Sequence, residues 1–151
     1  MSSKLQYATF LLDGMHFGVG VSDVQEVLRL TQYTRVPLAR KEIFGLMNLR
    51  GQISPAMDMR CRLNLGERAR EGSLPTVVVQ SADGPVALLV DEIADVHELD
   101  IALSEPPPPT VPHNIRPYLS SVFKLDQGLL LVLDLDAVLS GEPPPDRRRR
   151  Q

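Results

Sequence analysis

The sequence is poor in the residues that build disulfide, metal and base-stacking sites. Its 151 residues include no tryptophan, one cysteine (Cys61) and only 5% aromatic residues. A single cysteine excludes an intrachain disulfide framework and a cysteine-built zinc site. The three histidines, at 16, 97 and 113, have no ligand-like spacing. Few aromatic side chains also disfavour a platform on which nucleic-acid bases stack. We therefore expect neither a cofactor nor a metal.

Long apolar runs are absent as well. No run approaches the ~18 residues that a membrane-spanning helix needs. The opening residues, MSSKLQYATF, lack the apolar stretch of a signal peptide. Hydrophobic residues nevertheless make up 43% of the chain, which is enough for a sizeable core. The length suits one ordinary domain or two very small barrels sharing a core. These features predict a cytoplasmic protein.

Charge is distributed unevenly along the chain. Residues 1–75 contain ten Lys or Arg and seven Asp or Glu, a net charge of +3. Residues 76–145 contain two against eleven, or −9, and residues 146–151 return to +3. Such a division can orient a domain between two partners by electrostatic steering. The alternative is that both charged faces are merely solvated.

The motifs of common enzymes are missing. The sequence contains no glycine-rich phosphate loop and no G-x-S-x-G, H-E-x-x-H or C-x-x-C. Asp91 with Glu92, and Asp134 with Asp136, are paired carboxylates of the kind that act as acid and base or bind a metal. Each pair follows an apolar strand, however, where solvated caps are more common. We predict no catalytic residue, and so a protein that is not an enzyme.

Short strands joined by turns dominate the pattern. Apolar runs that alternate or are β-branched flank turn sequences in four places: 8–12 and 17–21, 44–49 and 53–59, 76–80 and 86–90, 122–125 and 129–133. Asp13-Gly14 is a strong hairpin signal. Short helices are predicted at 58–65 and 134–139, whereas 24–30 is ambiguous between helix and strand. Many short strands with regular turns favour small barrels or a sandwich.

Composition marks three breaks in the chain. Residues 67–74 are charged and small, which predicts a linker or a long surface loop between two halves. Residues 106–109, with Pro112, form a proline-rich stretch that cannot donate to a sheet. Residues 143–151 contain three prolines and then four arginines at 147–150, a composition typical of a disordered tail. We predict one domain over 1–142 with two barrel subdomains that divide near 67–75.

Four motifs follow one another from Tyr7 to Ser140. They are FGV at 17–19 with VQEV at 24–27, GLMNLRGQI at 45–53 with Pro55 and DMR at 58–60, ALLVDEI at 87–93 with Val96, and the apolar run at 130–135. In this order and at these separations they resemble the CheW-like coupling proteins of bacterial chemosensory arrays. Any one of the motifs alone is weak, but the NLRG turn with the later LVDE run is a specific combination.

The resemblance implies a mainly β fold of two intertwined SH3-like five-stranded β-barrels with one or two short helices. It also implies a function without chemistry or a small-molecule substrate. Family members bridge the cytoplasmic tip of a chemoreceptor and the regulatory domain of a CheA-type histidine kinase. Association with the inner membrane is then only indirect, through receptor arrays.

The resemblance also implies a receptor-binding surface. A receptor tip is a helical bundle, and a helix can dock its apolar stripe into a groove. Val24 and Val27 are predicted to line that groove, with a solvent-exposed Glu26 on its rim. The alternative is that both valines are ordinary core residues. Arg50 presents a planar donor fork at a turn. Gly45 matches the family too, although it can equally serve a bulge or a tight backbone approach.

The kinase-facing surface is harder to derive from the sequence. Val86 and Leu88 alternate along one strand of the second half, and one face of that strand is expected to meet the kinase. The sequence also leaves a second function open. A β-barrel module could bind nucleic acid or an anionic membrane through its basic first half and its four arginines, but few aromatic residues support that alternative.

Overall fold

Ten strands and two short α-helices make up the fold of the residues that the structure describes. The computed structural model describes residues 3–37, 40–66 and 72–140. The strands are β1 Lys4–Leu12, β2 Met15–Gly20, β3 Val24–Leu30, β4 Ile43–Leu49, β5 Gln52–Asp58, β6 Leu74–Ser81, β7 Gly84–Leu89, β8 Glu92–Asp100, β9 Leu119–Leu125 and β10 Gly128–Leu133. The helices are α1 Met59–Arg62 and α2 Leu135–Leu139. Neither is long enough to cross a membrane, and no other helix of the described residues is.

Two five-stranded sheets contain all of these strands. The first sheet has the order β8-β1-β2-β10-β9 and the second has the order β3-β6-β7-β5-β4. Each sheet contains one parallel pair, β2 with β10 and β5 with β7, and its other pairs are antiparallel. The predicted mainly β class with few helices is confirmed, as are the four predicted hairpins.

Both sheets close on themselves in the same way. After β3, Thr34 exchanges two backbone hydrogen bonds with Leu46 of β4, at 2.8 and 2.7 Å. After β8, Glu105 does the same with Val122 of β9, at 2.9 and 2.8 Å. The segment that follows one edge strand thus bonds to the opposite edge strand. Each sheet is therefore a small barrel, and closure removes most of its free edge.

The division between the two barrels does not lie near 67–75, where the sequence predicted it. The chain leaves the first sheet after β2, completes the second sheet from β3 to β7, and then returns with β8. Residues 67–71 lie outside the described residues, and 72–75 lead into β6, inside the second sheet. The barrels are intertwined because the second is inserted within the first. The predicted tail at 143–151 also lies outside the described residues.

The largest hydrophobic core lies between the two sheets. It packs Phe10, Phe17 and Leu131 of the first sheet against Val77 and Leu88 of the second. Two smaller cores fill the individual barrels, one around Leu30, Met47 and Leu89 and the other around Tyr7, Phe123 and Leu130. Burying apolar area between the sheets holds the two barrels together.

Candidate functional site

Arg50 lies at the tip of the β4–β5 hairpin, as the sequence predicted. The two-residue turn has positive φ at both positions, 54° at Arg50 and 86° at Gly51. Positive φ at both central residues matches the twist of the flanking strands. The Asn48 side chain accepts a hydrogen bond from the Gly51 N–H at 2.8 Å and fixes the turn. The Arg50 side chain remains 78% exposed.

Glu26 is the ion-pair partner of Arg50. The Arg50 Nη2 atom lies 2.8 Å from Glu26 Oε2, and the Glu26 side chain is only 20% exposed. Glu26 belongs to β3 and Arg50 follows β4, the two edge strands of the second sheet. The pair therefore bridges the two edges. Sequence reasoning placed both residues at the site but expected Glu26 to be solvent-exposed, and did not identify the pair.

Two exposed apolar side chains lie on the strand that carries Glu26 and in the hairpin that carries Arg50. Val27, next to Glu26, is 48% exposed, and Ile53 of β5 is 62% exposed. Ile53 pairs with Asn48 in the same hairpin as Arg50. We call Glu26, Val27, Arg50 and Ile53 the tip patch. Ile53 was missed, although it occupies an outward position of the strand before the buried Ser54.

Val24 does not share a groove with Val27. Val24 is half-buried and packs against the core between the sheets. A β-bulge separates it from Glu26, since Val24 pairs with Val79 and Glu26 pairs with Val78. Burial nevertheless alternates along the strand, and residues three apart on a strand point to opposite faces. The structure thus places Val27 on the surface and Val24 with the core.

Gly45 shapes the site from inside the barrel. It is buried, and a Cβ at this position would lie 2.8 Å from the carbonyl oxygen of Thr34 and 3.2 Å from Tyr33 Cδ2. The glycine permits the close approach that lets Thr34 bond to Leu46. The geometry supports both roles that the sequence left open for Gly45, since a register shift between Ile43 and Gly45 marks a β-bulge in β4 and Thr34 also approaches closely.

The two residues predicted to face the kinase differ in exposure. Leu88 is fully buried in the core between the sheets, so its side chain cannot touch a partner. The alternation of β7 correctly predicted that Val86 and Leu88 share one face of the strand. It did not predict that this face is covered, which happens because the two barrels pack on each other around Leu88. Val86 is half-buried and lines a cleft beside α2.

One carboxylate of each predicted pair has a structural role. Asp91 Oδ2 lies 2.6 Å from the Arg60 Nη1 atom and also accepts a hydrogen bond from the Asp13 N–H at 2.8 Å. Burial opposes the charge of Arg60, but its bonds to Asp91 and Asp13 outweigh this and raise the pKa of Arg60. Asp134 accepts from the Ala137 N–H and caps α2.

The histidines form no metal site with their neighbours. His16 and His97 lie edge to face, with ring centroids 5.6 Å apart. Burial, and then the proximity of His97, lower the pKa of His16, whereas Asp95 acts in the opposite direction. Among the residues that the structure describes, no three His, Cys, Asp or Glu are arranged to hold a metal ion.

Comparison with known proteins agrees with this architecture. The family model for the CheW-like domain matches residues 6–142. The chain is 32% identical to the chemotaxis protein CheW of Bacillus subtilis over 136 residues, which cover 88% of this chain and 85% of that one. It is 25% identical to the protein PilI of Pseudomonas aeruginosa over 122 residues, or 81% of this chain and 68% of that one.

A solved structure shows the same fold. The crystal structure of the scaffolding protein TtCheW from Thermoanaerobacter tengcongensis superposes with a TM-score of 0.81 at 26% identity, covering 93% of this chain and 90% of that one. The match extends over both barrels. The chain belongs to the CheW-like family, an adaptor family of chemotaxis signalling whose members are scaffold proteins and not enzymes.

Proposed function

We propose that this chain couples chemoreceptors to a CheA-type histidine kinase, as an adaptor at cytoplasmic receptor arrays on the inner membrane. Its family membership supports this role. The observation that carries the receptor side is the tip patch, in which an exposed arginine is paired with a half-buried glutamate and the strands β3 and β5 each carry an exposed apolar residue.

The tip patch combines the two features that docking a receptor helix requires. Val27 and Ile53 offer apolar surface for the stripe of an amphipathic helix. Arg50 offers a planar fork with five N–H donors for carboxylates or carbonyl oxygens on that helix. Because Glu26 holds one end of the fork, little side-chain freedom is lost on binding, and preorganisation of this kind improves affinity.

The kinase is proposed to bind a different surface, on strands from the second half of the chain. Residues 76–145 carry a net charge of −9, which favours a partner with a basic face. Val86 belongs to this region and reaches the surface in part. Leu88, being buried, is left out of this proposal.

Two titrations test the proposal, one with a chemoreceptor cytoplasmic fragment and one with the kinase regulatory domain. We expect Val27→Lys and Arg50→Glu each to weaken receptor binding at least tenfold and to leave kinase binding within twofold. The lysine places a charge in an apolar contact, which carries a desolvation penalty. The glutamate replaces the donor fork and repels Glu26.

Val96→Lys is the matched control, because Val96 is a valine of similar exposure, 59%, on β8 of the first sheet. It is expected to bind the receptor like the wild type. Equal loss in the control would show that added charge, and not the tip patch, weakens binding. Loss of kinase binding by Val27→Lys would mean that the two surfaces are exchanged. If the wild type binds neither partner, the adaptor proposal fails.

A further inference from the structure

An open cleft lies between the second sheet and helix α2. Its volume is about 700 Å³, and β4, β5, β7 and α2 line it with apolar side chains, among them Ile43, Pro55, Val86 and Leu139. It is separate from the tip patch, and some of its lining residues, such as Val86 and Leu139, also pack against the core between the sheets. A groove of this size with an apolar floor can hold a short peptide segment.

The rim of the cleft is acidic. Four exposed aspartates line it, at positions 23, 83, 134 and 136. The cationic side chain in its wall, Arg40, lies 3.2 Å from the Glu42 carboxylate. The occupant that this rim favours is therefore basic, and the walls of a cleft concentrate the field of such charges.

The chain itself supplies a basic segment at this place. Ser140, the last described residue, lies in the wall of the cleft. The following residues, 141–151, have the sequence GEPPPDRRRRQ. Arg147 is seven residues beyond Ser140, and an extended chain of that length reaches about 23 Å. The four arginines can thus reach the rim without any rearrangement of the described fold.

We propose that residues 141–151 dock in this cleft of their own chain, with the arginines on the aspartate rim. Each contact between exposed charges is weak and screened by salt. The short tether compensates, because it keeps the arginines at a millimolar effective concentration near the rim. The segment would then cover Val86 and α2. This inference does not depend on the proposed function, since it concerns only the chain itself.

A spin label on the segment tests the docking in the full-length chain. In the Cys61→Ser, Gln151→Cys chain, a nitroxide on the new cysteine should broaden the amide signals of Asp83, Val86 and Asp136 at low ionic strength. Replacing all four arginines with glutamine should restore these signals. About 1 M salt, where the screening length falls to about 3 Å, should restore them too.

Paired variants locate the contact. Asp83→Asn with Asp136→Asn should reduce the broadening by at least half, because both carboxylates are on the rim and neither caps a helix. Asp126→Asn, on the exposed β9–β10 turn outside the cleft, is the control and should leave the broadening unchanged. A first measurement of the amide spectrum of each variant establishes that it is folded.

Four results would overturn the proposal. One is broadening confined to the residues next to Ser140, and another is broadening centred on the acidic strand β8. A third is broadening in an isotopically labelled chain that carries no spin label, when it is mixed with a spin-labelled chain. This result would show that the segment docks on a second molecule. The last is the absence of broadening at the cleft amides in solution, together with binding of the segment to vesicles of phosphatidylglycerol only.

Discussion

Two arginines of this chain form ion pairs with opposite consequences. Arg60, on α1, is buried at the junction of the two sheets and binds Asp91 and, at 3.3 Å, Asp13. Arg50, at the tip of the second sheet, binds Glu26 but is mostly in solvent. Removing one partner of a buried pair leaves an uncompensated charge, whereas exposed pairs contribute little to stability. The comparison separates a residue that holds the fold from one that is available to a partner.

The junction also depends on the backbone around Arg60. Its guanidinium donates to the carbonyl oxygens of Leu65 and Gly66, at 3.2 and 3.1 Å, so most of its donors are satisfied inside the protein. Asp13 belongs to the turn between β1 and β2, and Asp91 connects β7 to β8. One side chain thus ties the second sheet to the β1–β2 turn of the first sheet and to the segment that connects the two sheets.

The largest effect is expected from Arg60→Met. The change leaves the Asp91 carboxylate buried without its main cation, and we expect a loss of about 3 kcal/mol in the free energy of unfolding. Urea denaturation followed by circular dichroism measures it. Adding Asp91→Leu should recover part of the loss, because it removes the uncompensated charge. A loss below about 1 kcal/mol for Arg60→Met would contradict the structural role assigned to this pair.

A smaller loss is expected from Gly45→Ala. The new Cβ would lie 2.8 Å from a backbone oxygen of Thr34, which cannot move away without breaking the closure of the second barrel. We expect about 2 kcal/mol of destabilisation, within the range of strained backbone substitutions. The matched change in the first barrel is Gly18→Ala, whose Cβ would meet only the flexible Leu130 side chain at 3.3 Å.

Comparing the urea midpoints of these two variants shows whether close packing at Gly45 matters. Gly18→Ala should lose less than half as much stability as Gly45→Ala. Equal losses in both variants would mean that the approach of Thr34 is not specially tight. If Gly45→Ala weakens receptor binding without changing stability, the residue contributes to the tip patch directly and not through barrel closure.

The hairpins were predictable because their signals are local. A dipeptide such as Asp13-Gly14 or Arg50-Gly51 between apolar runs specifies a turn from neighbouring residues alone. The sequence pattern leaves strand β3 ambiguous between helix and strand, and it does not predict β8. Each contains a bulge, near Gln25 in β3 and between Ile93 and Val96 in β8, where two residues of one strand oppose one residue of its partner, and such local pairing is not visible in a sequence pattern of period two.

The site was predictable only in part. Arg50 stands out in the sequence because it occupies a turn, and its place at the tip follows from that. Its partner Glu26 is on the opposite edge of the sheet, so the pair exists only after the barrel closes. The burial of Leu88 likewise depends on the packing of one barrel on the other, because periodicity assigns a face to a strand but does not say what covers it.

The smallest effect on stability is expected from Arg50→Gln. The substitution keeps a long polar side chain at the turn and removes only the charge. Because the arginine is 78% exposed, we expect a loss of no more than about 0.5 kcal/mol. The same variant should lose at least fivefold in affinity for a chemoreceptor fragment, since a neutral amide replaces the cationic fork. Urea denaturation and a receptor titration on one preparation measure both quantities. A stability loss close to that of Arg60→Met, with unchanged receptor affinity, would show that both ion pairs mainly stabilise the fold. Receptor recognition could then no longer be assigned to the tip patch.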